Sequence, residues 1–404
     1  MIYRNWGWQY EILSCTERIF IISLYIFTIS SVFCGMAQTL PELVIARIFQ
    51  GLGGSIMLPV GRLIIVRTYQ KKELITIMNQ VVIVGALGMM LGPMLGGFIT
   101  HYLSWRWIFF VNIPVGLLNI MLAQRWLVAT EPQLVHRLDK LGFILFGLGL
   151  ASLTFGLSAL SETAIDKSLV TLILLLAGLL LLFYFRHSRK QIHPIVNTAL
   201  FNFRTFSVSA AGNLLARLGF GGLPFLIPLL LQIGFGYSPQ VSGLLLAPTA
   251  LGVLVAKPLS LSILRLLGYK DLLIWNTLAI GLSLGLFALV DAKTSIVIIA
   301  FFTFLFGFLS ALQYTGMNSL AYSEISGVHF SSATSVMSTL QQLAQSFGVA
   351  VSAILLQVFS RISPHSDTIT VYSLHYTFIT MGILTSFSVL IFMQLSKDDG
   401  RELL

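Results

Sequence analysis

Gly85-Ala86-Leu87-Gly88-Met89-Met90-Leu91-Gly92-Pro93-Met94-Leu95-Gly96-Gly97 is a run of thirteen residues with five glycines and no charge. Gly88, Gly92 and Gly96 recur every four residues. On a helix they share one face and form a flat groove for a neighbouring helix. Pro93 removes one backbone hydrogen bond and bends the helix. A lone GxxxG is weak evidence; the whole string GxxxGPxxGG is far more specific. One apolar run upstream lies Ala46-Arg47-Ile48-Phe49-Gln50-Gly51-Leu52-Gly53-Gly54-Ser55. Here Arg47 stands within an apolar helix and Gln50, three residues on, shares its face. A charge at that depth is costly and faces a cavity or a partner. The alternative is a packing helix whose Arg snorkels to an interface.

These runs belong to a chain built of such runs. Hydrophobic residues make up 56% of its 404 residues and charged residues 10%, with a mean hydropathy of +0.89. A soluble domain carries roughly 25% charged residues, so the apolar surface here exceeds what one core could hide. A bilayer core of ~30 Å needs about 20 apolar residues as a helix. Spans are predicted near 19–38, 43–66, 74–99, 105–128, 140–160, 168–185, 205–232, 240–264, 271–290, 295–318, 332–359 and 372–395. The fold class is therefore an all-α polytopic membrane protein with about twelve transmembrane helices.

The net charge of +9 does not point to nucleic acid, because the cations sit in short loops between apolar runs. With both termini inside, sixteen of the 24 Lys and Arg fall on inner segments, among them Arg4, Arg18, Arg125, Arg137, Lys190 and Lys397. Only Arg106, Lys167, Lys293 and Arg361 fall outside. That asymmetry predicts cytoplasmic termini. Arg47, Arg62, Arg217 and Lys257 fall within spans. Cys15 and Cys34 form no metal or disulfide pattern, since a helix starting near Arg18 sets the thiols roughly 28 Å apart. A cleaved signal peptide ending near Ala37 is disfavoured, because another span follows at once.

The second half has its own polar stripes. Asn213, Arg217, Gly221, Pro228 and Gln232 recur at near-helical spacing, with Pro224 close by. Such a face suits a water-filled or substrate cavity at Arg217. Lys257 either lines that cavity or snorkels to the inner end of its span. Thr334, Ser338, Gln341, Gln345 and Ser352 form another stripe, explained equally by polar helix packing and by substrate contact.

The strings 46–55 and 85–97, in this order, resemble motifs B and C of the major facilitator superfamily, the latter being the antiporter motif of its drug-exporting branches. Trp105-Arg106-Trp107-Ile108-Phe109-Phe110-Val111-Asn112-Ile113-Pro114-Val115-Gly116 is similar to the sixth span of the 14-span drug:proton antiporters. Leu264-Arg265-Leu266-Leu267-Gly268-Tyr269-Lys270 resembles a degraded copy of the family's Gly- and Arg-rich loop. The resemblance covers roughly residues 16–395 and implies major facilitator-type helical bundles. The family carries motifs B and C on its fourth and fifth spans, whereas here they fall on the second and third. The expectation is thus an incomplete N-terminal bundle of four spans (1–128), two central inserted spans with a basic loop (129–204) and a six-span C-terminal bundle (205–404).

The resemblance implies a secondary transporter in the bacterial inner membrane, exporting amphipathic, often cationic compounds in exchange for protons by alternating access. Its partners would be a small-molecule substrate, protons, the lipid bilayer and a periplasmic adaptor protein. Arg47, Gln50, Asn213, Arg217, Gln232, Gln341 and Gln345 are the candidate cavity residues. Gly88, Gly92, Pro93, Gly96 and Gly97 are the candidate packing residues of the antiporter motif. Against proton coupling, none of the fifteen acids is central in a span. Export of an organic anion, or a membrane remnant that does not transport, therefore stay open. No P-loop, metal-ligand spacing or catalytic constellation is present, so neither an enzyme nor a cofactor is expected.

Overall fold

The computed structural model describes residues 16–68, 71–127, 139–160, 166–191, 194–196, 198–325, 327–362 and 369–403. Arg4, Cys15, Glu131 and Arg137 lie outside the described residues, as do the side chains of Arg62, Lys71 and Lys72. Among the described residues the regular structure is helical. The long helices are α1 Thr16–Met36, α2 Leu40–Thr68, α3 Lys71–Tyr102, α4 Trp107–Trp126, α5 Lys140–Ala159 and α6 Lys167–Ser188. They continue as α7 Arg204–Gly234, α8 Pro239–Leu286, α9 Ile296–Ala321, α10 Gly327–Ile362 and α11 Val371–Phe392. Helix α8 is two crossings joined at Gly268, whose φ of 73° and ψ of 169° break the helix. Among the described residues ten of these helices, all but α3, are long and apolar enough to cross a membrane, against the twelve crossings expected, and α8 counts as one of the ten although each of its limbs is of crossing length.

Local chemistry sets the boundaries. Between α1 and α2, Thr39-Leu40-Pro41-Glu42 starts the new helix. Thr39 Oγ1 accepts from the Glu42 N–H at 3.4 Å, and the Glu42 carboxylate accepts from the Gln38 N–H at 2.9 Å. Asp139 caps α5 through the Gly142 N–H, Asp166 caps α6 through Ser168, and Thr370 with Ser373 forms a capping box on α11. Each satisfies N–H groups that the first helical turn leaves without a partner.

The chain divides into two compact units, 1–88 with 95–137 and 89–94 with 138–404. In the first, α1 packs against both α2 and α4. Lipid tails are as apolar as Leu, so helices associate through close packing and hydrogen bonds rather than hydrophobic burial. A methyl group on Gly53 would lie 2.7 Å from the Phe27 backbone nitrogen, so α2 touches α1 backbone to backbone. Gly116 of α4 abuts Thr28 of α1. Arg106 closes one end of this unit by donating to the Ala37 carbonyl at 3.1 Å while its guanidinium stacks 4.6 Å from the Trp105 ring.

In the second unit α5 and α6 form a hairpin. Gly149 meets Leu181 and Gly156 meets Leu174, one heptad apart. Helix α5 packs on α10, which joins the hairpin to the six crossings after residue 204. Their core holds Phe220, Leu226, Phe287, Phe306, Phe378 and Met381. Two backbone crossings close it, Gly252 and Gly307 between α8 and α9, and Gly281 and Gly382 between α8 and α11.

Candidate functional site

Each unit carries a polar cluster within its apolar helices. In the first, Arg47 donates from Nη1 to Gln50 Oε1 at 2.7 Å, and its guanidinium lies 5.7 Å from the Phe109 ring. Gln50 in turn donates to Ser31 Oγ at 2.7 Å, and the Cys34 thiol approaches Gln50 Oε1 at 3.7 Å. Arg47 is exposed, whereas Gln50 is only 3% exposed. The expectation of two cavity residues on one face is therefore corrected for Gln50. The i, i+3 spacing does bring the pair together, but the Gln50 amide points into the α1–α2 seam. The reason is that Ser31 and Cys34 of α1 offer it partners there. Gln50 holds Arg47 in place and bridges two helices.

In the second unit, Arg217 of α7 lays its guanidinium 4.1 Å from the Tyr314 ring of α9. Its Nη1 makes a long, 3.5 Å contact with Gln345 Oε1 of α10. Gln345 Nε2 donates to the Gly221 carbonyl at 2.8 Å. That contact is possible because α7 and α10 cross without side chains between them: Gly348 abuts the Arg217 carbonyl and Gly221. Gln341, one turn below Gln345, donates to Asn318 Oδ1 at 2.6 Å. Arg217, Gln341 and Gln345 are thus brought together across three helices. Asn213 is one turn from Arg217 but fully buried, and neither of its amide atoms has a partner among the described residues. It does not line a cavity in this structure, because the small residues beside it, Gly212 and Ala216, let α7 pack closely. Gln232 is half-buried on the π-helical turn Leu230–Gly234 and stands apart from this cluster.

Lys257 is exposed on the first limb of α8, about three turns before the break at Gly268. Gly88, Gly92 and Gly96 take up no neighbour: a methyl group at any of them would meet nothing within 4 Å among the described residues. The motif stretch does pack closely one residue away, where Gly243 of α8 abuts the Pro93 carbonyl and Met94. Gly96 and Gly97 serve locally as acceptors for the Thr100 hydroxyl, at 2.8 and 3.2 Å. Pro93 is half-buried within α3, in the short stretch 89–94 that groups with the second unit.

Tyr314 and Asn318 complete the second cluster and escaped the sequence reading. So did a buried network in which Asn276 Nδ2 donates to Gln313 Oε1 at 2.8 Å and Gln313 Nε2 donates to Thr277 Oγ1 at 2.8 Å. Polar residues inside apolar runs were the available signal for Asn318, Asn276, Gln313 and Thr277. Among the described residues no carboxylate pairs with Arg47 or Arg217; the ion pairs are His187–Asp139, Arg204–Asp399 and Arg401–Asp398.

The sequence profile of the Major Facilitator Superfamily matches residues 6–186 and 209–402. The chain belongs to the major facilitator superfamily. Within it, the chain is 35% identical over 397 residues to MdtD of Pectobacterium atrosepticum, a protein named for multidrug resistance, covering 97% of this chain and 84% of MdtD. It is 36% identical over 388 residues to HsrA of Haemophilus influenzae, named as a transport protein, covering 96% and 83% of the two chains. Among solved structures it shares its fold with a peptide-bound transporter of the POT family. The TM-score is 0.68 at 17% identity, covering 96% of this chain and 82% of that one. A D-xylose–proton symporter matches with a TM-score of 0.64 at 14% identity, covering 95% and 82%. This major facilitator protein is a multi-pass membrane transporter and not an enzyme.

Proposed function

We propose that this transporter exports small amphipathic compounds from the cytoplasm in exchange for protons, with both termini in the cytoplasm. The observation that carries the reading is the Arg217–Tyr314–Gln345 cluster, a cation and an aromatic face held together across α7, α9 and α10. A ring with a hydroxyl and a flat guanidinium presents both apolar and polar surface, which suits amphipathic solutes. Kinship with MdtD over nearly the whole chain supports the substrate class. Gly88, Gly92 and Gly96 are the stretch of α3 able to accept a close helix neighbour during the cycle.

A second reading, export of an organic anion, is favoured by one feature: Arg47 and Arg217 have no carboxylate partner among the described residues. Inverted membrane vesicles distinguish the two. Proton-driven movement of ethidium, but not of carboxyfluorescein, is expected under the first reading, and the reverse under the second. Arg217→Ala abolishes transport with membrane levels intact, and Arg217→Lys does not restore it, because an ammonium cannot lie flat on Tyr314. Transport of ethidium by Arg217→Ala at the wild-type rate refutes the role given to the cluster.

A further inference from the structure

At the bend between the two limbs of α8 lies a pocket of about 360 Å³ that the transport reading leaves unused. Arg265, Lys270, Lys397 and Arg401 line it, with Asp271 as its only lining acid. The four cations come from two separate stretches of chain. Arg265 and Lys270 flank the Gly268 turn, while Lys397 and Arg401 come from the segment after α11.

The two stretches are fixed against each other. The buried Tyr269 ring packs on Gly400, which has a φ of 78°. The Ser396 N–H donates to the Asp399 carboxylate at 2.7 Å, and Asp399 lies 3.7 Å from the Arg204 guanidinium. The pocket is therefore built into the fold. Arg401 is paired with Asp398 at 2.6 Å, but Lys270 and Lys397 form no ion pair among the described residues. Lys270 and Lys397 thus leave positive charge in the pocket that an anion would neutralise. The N-terminus of the second limb of α8, beginning just past Gly268, adds partial positive charge in the same place.

Two further features say what the anion is attached to. Both limbs of α8 are long enough to cross a bilayer, so the bend between them lies at the level of lipid headgroups. Leu266, on the lip of the pocket, is 82% exposed, and Leu267 beside it is 42% exposed. A soluble anion gains nothing from bare leucines. An acyl chain does. We propose that this pocket binds the phosphate headgroup of an anionic phospholipid, with Leu266 and Leu267 against its acyl chains. The site stands whether or not the compound class proposed above is right.

The test uses the purified full chain in neutral detergent, with retained lipid read by native mass spectrometry. Phosphatidylglycerol, phosphatidylcholine and inorganic phosphate are titrated separately and in competition. Each basic residue near an anionic headgroup contributes about a factor of five in affinity. Lys270→Gln with Lys397→Gln is therefore expected to weaken phosphatidylglycerol binding roughly 30-fold. Phosphatidylcholine binding stays unchanged, and Lys293→Gln, in a distant loop, leaves both unchanged. Arg401→Gln alone gives a smaller loss and serves if the double variant does not fold. Equal phosphatidylglycerol binding by wild type and variants overturns the proposal. So does equal retention of phosphatidylcholine by the wild type, or displacement of phosphatidylglycerol by millimolar phosphate, which would make this a site for a free anion.

Discussion

Replacing Gln50 with Leu tests whether a buried amide ties the first unit together. Gln50 accepts from Arg47 at 2.7 Å and donates to Ser31 at 2.7 Å. The first is a hydrogen bond to a charged group, of the kind that contributes about 1.5–3 kcal/mol. The second is a neutral bond between helices, and such bonds in membrane proteins average about 0.6 kcal/mol. Leu fills nearly the same volume, so no cavity term is added. Ser31 keeps its own bond to the Phe27 carbonyl at 2.8 Å and is not orphaned. Arg47, by contrast, retains only the Phe109 ring at 5.7 Å, a cation–π contact of about 0.5–1 kcal/mol at most. The expected loss is therefore about 2 kcal/mol. The assay is unfolding in mixed micelles, followed by helical circular dichroism and by maleimide labelling of Cys34 in a Cys15→Ser background. Cys34 is fully buried in the α1–α2 seam and reports its opening directly. A double-mutant cycle with Arg47→Leu isolates the pair, and a coupling of about 1.5 kcal/mol or more is expected. Gln50→Glu would give Arg47 a carboxylate. Unchanged midpoints and Cys34 labelling rates in Gln50→Leu, or a coupling near zero, would refute the reasoning.

Glycine position decides the cost of adding a methyl group. Gly348→Ala, which drives Cβ into the Arg217 carbonyl, is expected to lower the unfolding midpoint markedly, while Gly92→Ala, with open space around it, leaves it unchanged; thermal unfolding of the two variants in detergent checks this. Asp139 is expected to stabilise the central hairpin in a pH-dependent way. Burial pulls its carboxyl up, but the Gly142 N–H and the His187 ring outweigh this and hold it below the ordinary aspartate value of 3.8. Its contribution is thus present above that value and lost as pH falls through the lower folded one. Asp139→Ala should cost about 1 kcal/mol at pH 7 as a lost helix cap, with the difference from wild type shrinking below about pH 4, as read by unfolding across that range. For topology, a reporter fused after Gly400 is expected to read cytoplasmic and one after Asp166 exterior; the opposite pattern would discard the orientation.

The positions of the helices were legible in the sequence because span length and hydropathy answer to bilayer thickness alone. Even the division of α8 could be read, since two apolar runs flank Arg265 to Lys270. The pairing of Arg47 with Gln50, and of Arg217 with the Gln341–Gln345 stripe, was partly legible through polar residues at helical spacing. Tyr314 was not, because an aromatic residue in an apolar helix looks like any other core residue until a guanidinium is found over its face. The glycines also misled in one respect. Periodicity marks a helix face that can pack closely, but it does not say which of several such faces does so. Gly281 and Gly382 meet, whereas Gly88, Gly92 and Gly96 take up no neighbour among the described residues.

What the sequence determined by itself is therefore whatever depends on one helix and its solvent: class, crossings and the faces bearing polar residues, together with the family through its motifs. Tertiary structure decided which way those faces turn. Gln50 and Asn213 occupy helix faces that read as cavity lining, yet each is buried against other helices. The basic pocket joins residues 265–271 to residues 397–401. No periodicity connects stretches more than a hundred residues apart; they meet because Tyr269 packs on Gly400 and, with Leu264, shares a buried cluster with Phe392 and Leu395.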